Sequence, residues 1–273
     1  MGLTVAAASL PGGDPPGQDR WGTSARAAVV LDGASSYSPE APPADDYVDV
    51  LLPALLTRVD DGDLREQLRE ALAETVDRLG LMPGAAPSST VLMLRVGEAL
   101  VEVAALGDST AVIGHPDGTT SRLSDDRLAR IGADKRRAYR EHLRRGSGFG
   151  SEHGGRLREL QRSEFPHRNR PGGYWIAEAD PAAADELVSC SFQRDAVSWV
   201  VLATDGAQKH VDRLGGQWDL IVNQDNDQLT AFLKSAQQWE TEADPDGIEM
   251  PRSKRHDDKT ILAWQQPAPS PIN

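Results

Sequence analysis

Apolar residues fall along this chain in two signatures, short unbroken runs and stripes at helical spacing. The run at 25–31 (ARAAVVL) is too short for a helix and predicts a buried strand ending at Asp32-Gly33. A proline-rich loop follows, and then Val48, Leu51, Leu52, Leu55, Leu56 and Val59 share one face of a helix predicted from about Asp46. A second helix is expected from about Asp63, with Leu64, Leu68, Ala71, Leu72, Val76 and Leu79 on its stripe and Gly80 and Pro83 as stops. Residues 90–96 and 100–106 predict a hairpin about Gly97-Glu98, and a third strand at 111–114 follows Gly107-Asp108. Ser124 is expected to cap a helix with Asp125 and Asp126 in its first turn and a cluster of arginines beyond. Residues 146–173 are rich in Gly, Arg and His and give no readable pattern. A strand at 197–203 ends before Asp205-Gly206, a helix is predicted over 227–239, and Asp257-Asp258 leads into a last strand at 260–264. Strand blocks separated by helices, without a repeat or long linker, predict packed sheets with helical layers outside.

Composition narrows the function. Lys and Arg total 29 against 42 Asp and Glu, a net charge of −13, which disfavours a nucleic-acid binder or a polybasic membrane binder. The single cysteine, Cys190, excludes an intramolecular disulfide and a cysteine-rich zinc site, and its apolar surroundings predict a buried thiol. No apolar run reaches membrane-spanning length, and the N-terminus lacks the basic start of a signal peptide, so a cytoplasmic protein is expected. The charge is uneven. Residues 122–170 hold 14 basic and 7 acidic side chains, a local excess of +7 that leaves −20 for the remainder.

The chemistry lies in the aspartates. Asp32 and Asp205 each follow an apolar strand and precede glycine, Asp108 follows Gly107 at a strand break, and Asp257 precedes a strand. One Asp-Gly pair is an ordinary turn. Four such carboxylates at strand ends point to a cation, because clustered carboxylates repel one another. Oxygen ligands without clustered His or Cys favour magnesium or manganese over zinc.

Read in order, these segments resemble the metal-dependent Ser/Thr protein phosphatases of type 2C, in particular the bacterial members. GQDR (17–20), VVLDGAS (29–35), PSSTVLML (87–94), ALGDSTAVI (105–113), WVVLATDGAQKHV (199–211) and HDDKTIL (256–262) are each similar to a motif of that family. The resemblance implies an α+β fold, a four-layer αββα sandwich of two mainly antiparallel sheets flanked by helices. It implies one domain over 1–264, with 122–170 as a basic, flap-like insert and 265–273 as a disordered tail. It carries over Asp32, Asp205 and Asp257 as ligands of two Mn2+ or Mg2+ ions, with the Gly33 carbonyl on the second. Asp108 corresponds to a ligand of a weaker third metal, Gln18 to a contact made through water, and Asp19 to a residue that orients the ligands. Departures from the family are Gln18 for Glu, Asp14 for a phosphate-gripping Arg, Ala34 for His and Thr110 for Arg. In place of that Arg, the expected substrate-binding residues are Arg20, Arg136, Arg137, Arg144, Arg145 and Arg255.

The implied reaction is two-metal hydrolysis of phosphoserine and phosphothreonine in proteins phosphorylated by a Ser/Thr kinase. Cys190 has no Cys-x5-Arg phosphate loop, and Asp32 has no second Asp two residues on, so neither supplies a nucleophile of the usual covalent phosphatases. The rival reading is a pseudophosphatase, a phosphoprotein-binding regulatory module of the same fold with weak or no turnover.

Overall fold

The computed structural model describes residues 2–14, 16–36, 38 and 40–267. Its strands form two five-stranded sheets, antiparallel throughout. The first runs β1 (Ala6–Leu10), β10 (Lys259–Gln265), β9 (Trp199–Ala203), β6 (Thr110–Gly114), β7 (Thr120–Ser124). The second runs β2 (Asp19–Thr23), β3 (Ala27–Ala34), β4 (Ser88–Val96), β5 (Leu100–Leu106), β8 (Val188–Gln193). Helices α1 (Ala44–Leu56) and α2 (Leu64–Leu79) cover the outer face of the second sheet. Helices α6 (Asp205–Arg213), α7 (Trp218–Val222) and α8 (Asn226–Glu242) cover the first. The result is the four-layer αββα sandwich.

Central strands read as unbroken apolar runs because both of their faces are covered. On β3, Ala27, Val29 and Leu31 pack under α1 and α2, while Ala28 and Val30 face the other sheet. On β4, Val91 and Met93 point one way and Leu92 and Leu94 the other. The layer between the sheets is closed by Leu202, Ile113, Leu262 and Trp264, all buried. The helix signals hold locally. Asp63 accepts from the backbone N–H of Arg65 and Glu66 at the start of α2, Gly80 ends it at φ 62°, and Asp225 with Gln228 forms a capping box on α8.

Three local expectations are corrected. Ser124 is no helix cap; it ends β7, opposite Thr110, and it is Asp125 that turns to the Arg127 backbone and guanidinium. Residues 122–170, left partly unread, contain α3 (Arg127–Arg130), α4 (Ala133–Arg144) and α5 (Ser151–Glu164). Cys190 is half-buried on the edge strand β8, where burial raises its thiol pKa. Residues 268–273 of the expected tail lie outside the described residues. Among the described residues no helix is long and apolar enough to cross a membrane.

Neither Asp-Gly pair is a turn. Asp32-Gly33 continues inside β3, and Asp205-Gly206 opens α6. Glycine is required at both places by close backbone approach. A Cβ on Gly33 would lie 2.6 Å from the Gln18 carbonyl oxygen, and one on Gly206 would lie 2.1 Å from that of Asp258. The first contact draws the segment before β2 against β3 in the second sheet, and the second draws the segment before β10 against the start of α6 after β9 in the first, at one end of the sandwich.

Candidate active site

At that end, the strands deliver carboxylates to a cleft of 420 Å³. Asp32 pairs in register with Asp19 on one side and Thr90 on the other, which sets it between β2 and β4 near the end of β3. Asp108 sits in the turn between β5 and β6, Asp205 at the first position of α6, and Asp257 two residues before β10. Gln18, Asp32, Gly33, Asp108, Asp205 and Asp257 all line the cleft, and Asp19 lies buried behind them.

Asp19 is held from the opposite sheet. The Thr204 hydroxyl donates to its Oδ2 at 2.9 Å, and the Thr260 N–H donates to that hydroxyl at 2.9 Å. Its Oδ1 is buried with no hydrogen-bond partner. Asp258 acts differently: its carboxylate accepts from the backbone N–H of Gly12 at 2.6 Å and of Gln18 at 2.5 Å, fastening the N-terminal segment to the segment before β10. Gln18 itself donates its amide to the Ser35 hydroxyl at 2.8 Å.

The electrostatics report convergence. Burial, followed by the charges of Asp19, Asp205, Asp257 and Asp108, pushes the Asp32 carboxyl well above the usual range. Burial also pushes Asp19 up to about 7, with repulsion from Asp258 and Asp257 against the Thr204 hydrogen bond. Asp108 rises to about 6 through burial and Asp205, held back by Lys209 and Arg136. For Asp257 burial is outweighed by Lys254 and then Lys209, which lower it. A set of hard oxygen donors that repel one another, with one buried carboxylate oxygen unsatisfied, is chemistry suited to Mg2+ or Mn2+. Among the described residues, however, no group of three or more His, Cys, Asp or Glu is closed around a single ion position. Two of the carboxylates are turned to lysines: Lys209 Nζ lies 2.5 Å from Asp205 Oδ2, and Lys254 Nζ lies 3.0 Å from Asp257 Oδ1.

Raised carboxyl pKa values make stability depend on pH. Between its ordinary value of 3.8 and about 7, Asp19 binds more proton in the folded than in the unfolded protein, so stability falls as pH rises through that window. In chelator the protein is expected to melt higher at pH 5 than at pH 7.5, Asp19 contributing about 3 kcal/mol. Asp19→Asn should flatten this slope in thermal scans. An unchanged slope in the variant would mean that Asp19 is not under that strain.

The expected substrate-binding arginines are mostly placed elsewhere. Arg20 is tied to Asp49 of α1, with Nε at 2.6 Å from Oδ1, and does not line the cleft. Arg136 pairs with Glu164 and binds the Leu128 carbonyl, joining α4 to α5 just behind the cleft wall. Arg137 pairs with Asp134, and Arg144 and Arg145 are exposed on the same helix end. Arg255 is exposed and lies over the Phe149 ring. Arg252, beside it in sequence, is buried against Asp244 at 2.7 Å. The cationic side chains that do line the cleft are Arg168 and Lys254. Arg168 reaches it from the loop after α5, where Glu178 and the Tyr174 hydroxyl hold its guanidinium. Its signal was hidden among the other arginines of the basic stretch, since only the tertiary fold turns it inward. Thr110, standing where the family has Arg, donates to Gln208 on α6.

Behind Asp257 lies a buried charge cluster. Glu240 of α8 lies within hydrogen-bond distance of His210 Nε2 and His256 Nδ1, each at 2.8 Å, and accepts from Lys259 Nζ at 3.0 Å. Lys259 also donates to the Asp257 carbonyl at 2.9 Å. Burial would raise Glu240, yet His210 and Lys259 hold it down to about 2.

Two antiparallel sheets between helical layers, with aspartates gathered at one end of the sandwich, define the architecture of the bacterial type 2C Ser/Thr phosphatases. Solved structures agree. The serine/threonine phosphatase Stp1 from Staphylococcus aureus matches over 97% of this chain and 96% of its own, at 13% identity and a TM-score of 0.57. The Mycobacterium tuberculosis serine/threonine phosphatase PstP/Ppp matches over 97% and 100%, at 15% identity and a TM-score of 0.58. A catalytic domain of PstP in complex with two manganese ions matches over 96% and 97%, at 16% identity and a TM-score of 0.53. At such identities the likeness establishes the fold. No family model matches the sequence, and no curated protein does.

Proposed function

We propose that this chain is a metal-dependent protein phosphatase, hydrolysing phosphoserine and phosphothreonine in proteins phosphorylated by a Ser/Thr kinase, with residues 1–264 as a single catalytic domain. The observation that carries this reading is the convergence of Asp32, Asp108, Asp205 and Asp257 on one cleft with Asp19 behind them, where burial and then mutual repulsion lift the pKa of Asp19, Asp32 and Asp108. Asp32, Asp205 and Asp257, with the Gly33 carbonyl, would hold two Mn2+ or Mg2+ ions. Asp108 with Asp205 would hold a third, and Gln18 would contribute through water. When bound, such ions lower the pKa of an attacking water and neutralise charge building on the phosphoryl oxygens.

The remaining roles fall to the chain itself. Asp19, fixed by Thr204, orients the cleft carboxylates from behind. Leu128, Tyr174 and Ile176 wall one side of the cleft and limit water there. Arg168 and Lys254 present positive charge to a phosphate entering it. Arg137 and Arg144 lie on α4 and Arg145 just after it; α4 packs against the cleft-lining helix α5, and the three arginines attract acidic phosphoprotein segments. No covalent intermediate is required, since Cys190 lines a separate hollow beside α2.

A regulatory phosphoprotein-binding module is the second reading, favoured by the lysine contacts on Asp205 and Asp257. Hydrolysis of p-nitrophenyl phosphate and of a phosphoserine peptide separates the two. The enzyme reading expects turnover with manganese, loss with chelator and loss in Asp205→Asn. Phosphopeptide binding without turnover at any metal concentration would establish the module instead.

A further inference from the structure

Two lysines compete for the carboxylates of the cleft. Lys209 is one helical turn after Asp205 on α6, and its ammonium lies 2.5 Å from Oδ2 with the side chain 29% exposed. Lys254 is three residues before Asp257, and its ammonium lies 3.0 Å from Oδ1 with the side chain 58% exposed. The helical spacing of Asp205 and Lys209 on α6 and the three-residue separation of Lys254 and Asp257 in the loop before β10 tether each ammonium within reach of its carboxylate. Tethering gives the lysines a high effective concentration that a free ion must overcome.

We propose that Lys209 and Lys254 are resident cations that compete with divalent metal for Asp205 and Asp257 and so set the metal affinity of the site low. The proposal rests on reading the cleft as a metal site. An ammonium and a divalent ion seek the same oxygen lone pairs, so a carboxylate oxygen given to lysine must be released before it can coordinate. The repulsion between the lysine and an incoming ion adds to that cost. The exchange is harder at Lys209, whose contact is shorter and whose side chain is less exposed than that of Lys254. The site is thereby tuned to fill only when divalent metal is abundant.

Mn2+ binding to the full-length chain, read from the electron spin resonance of free Mn2+ without any activity assay, tests this. Lys209→Met and Lys254→Met keep an unbranched side chain one atom shorter and remove the charge. Each is expected to tighten Mn2+ binding by about tenfold, Lys209→Met more than Lys254→Met, while Lys254→Arg keeps wild-type affinity. In chelator the Met variants should melt below wild type, and saturating Mn2+ should raise their melting temperatures by more. Wild-type affinity, or weaker binding, in both Met variants would overturn the proposal and leave the metal-site reading standing. No Mn2+ binding and no thermal shift in wild type or any variant at millimolar metal would overturn both.

Discussion

Asp32→Asn is expected to lower phosphatase activity by about 10³-fold or more and, in chelator, to raise the melting temperature of the same protein. The two effects have one origin. Asp32 sits centrally among the cleft carboxylates, and burial together with Asp19, Asp205, Asp257 and Asp108 makes its ionised form unfavourable. An amide of the same shape removes that charge without opening a cavity. Relief of about 1–2 kcal/mol would raise the melting temperature by roughly 2–4 °C in a chain of this size. The same replacement removes one of the carboxylates proposed to hold the metal ions, so the activity is expected to go. A carboxylate that served only to support the fold would behave in the opposite way, losing stability and sparing activity. Activity near wild type, or a lower melting temperature in chelator, would sink the assignment of Asp32.

Glu240→Ala should cost about 3–5 kcal/mol of stability, the other large effect. Glu240 is 2% exposed, and Lys259, His210 and Arg252 beside it are equally hidden from water. Removing the carboxylate leaves the Lys259 ammonium, at 0% exposure, without its counter-charge. The folded-state pKa of Glu240 lies below its ordinary value of 4.5, so its contribution is present above pH 4.5 and is lost as pH falls toward 2. Urea unfolding at pH 7 measures the loss directly. A change below about 1 kcal/mol would mean that water or rearrangement satisfies the cluster without Glu240.

What the sequence revealed and what it hid divides along one physical line. The inner strands β3, β4, β5, β6, β9 and β10 were legible as apolar runs, because covering layers bury both of their faces. The four strands left unassigned, β1, β2, β7 and β8, are the edges of the two sheets. DRWGT on β2 and TSRLS on β7 carry little apolar alternation, since an edge strand is half-solvated and short. Helix α5 lacked a stripe for a related reason: only His153, Leu160 and Glu164 of it are buried. At the site, the aspartates stood out because each borders a strong inner strand. The lysine pairs, the Asp258 clasp and inward-facing Arg168 had no such marker, as each is created by where a side chain turns once the sheets have met.

The clasp made by Asp258 bears on when the cleft can exist during synthesis and folding. Asp258 binds Gly12 and Gln18, partners 246 and 240 residues away, and β10 completes the first sheet by pairing with β1 on one side and β9 on the other. Contacts of such sequence separation form late, because a long loop must close before they stabilise anything. The second sheet and its two helices can assemble from the first two hundred residues as the chain leaves the ribosome, whereas Asp257 is delivered only with the final strand. The acidic cluster is therefore completed last, once the long loops have closed. A nascent chain stalled before β10 would carry Asp32, Asp108 and Asp205 but neither Asp257 nor the Asp258 clasp that completes the cleft.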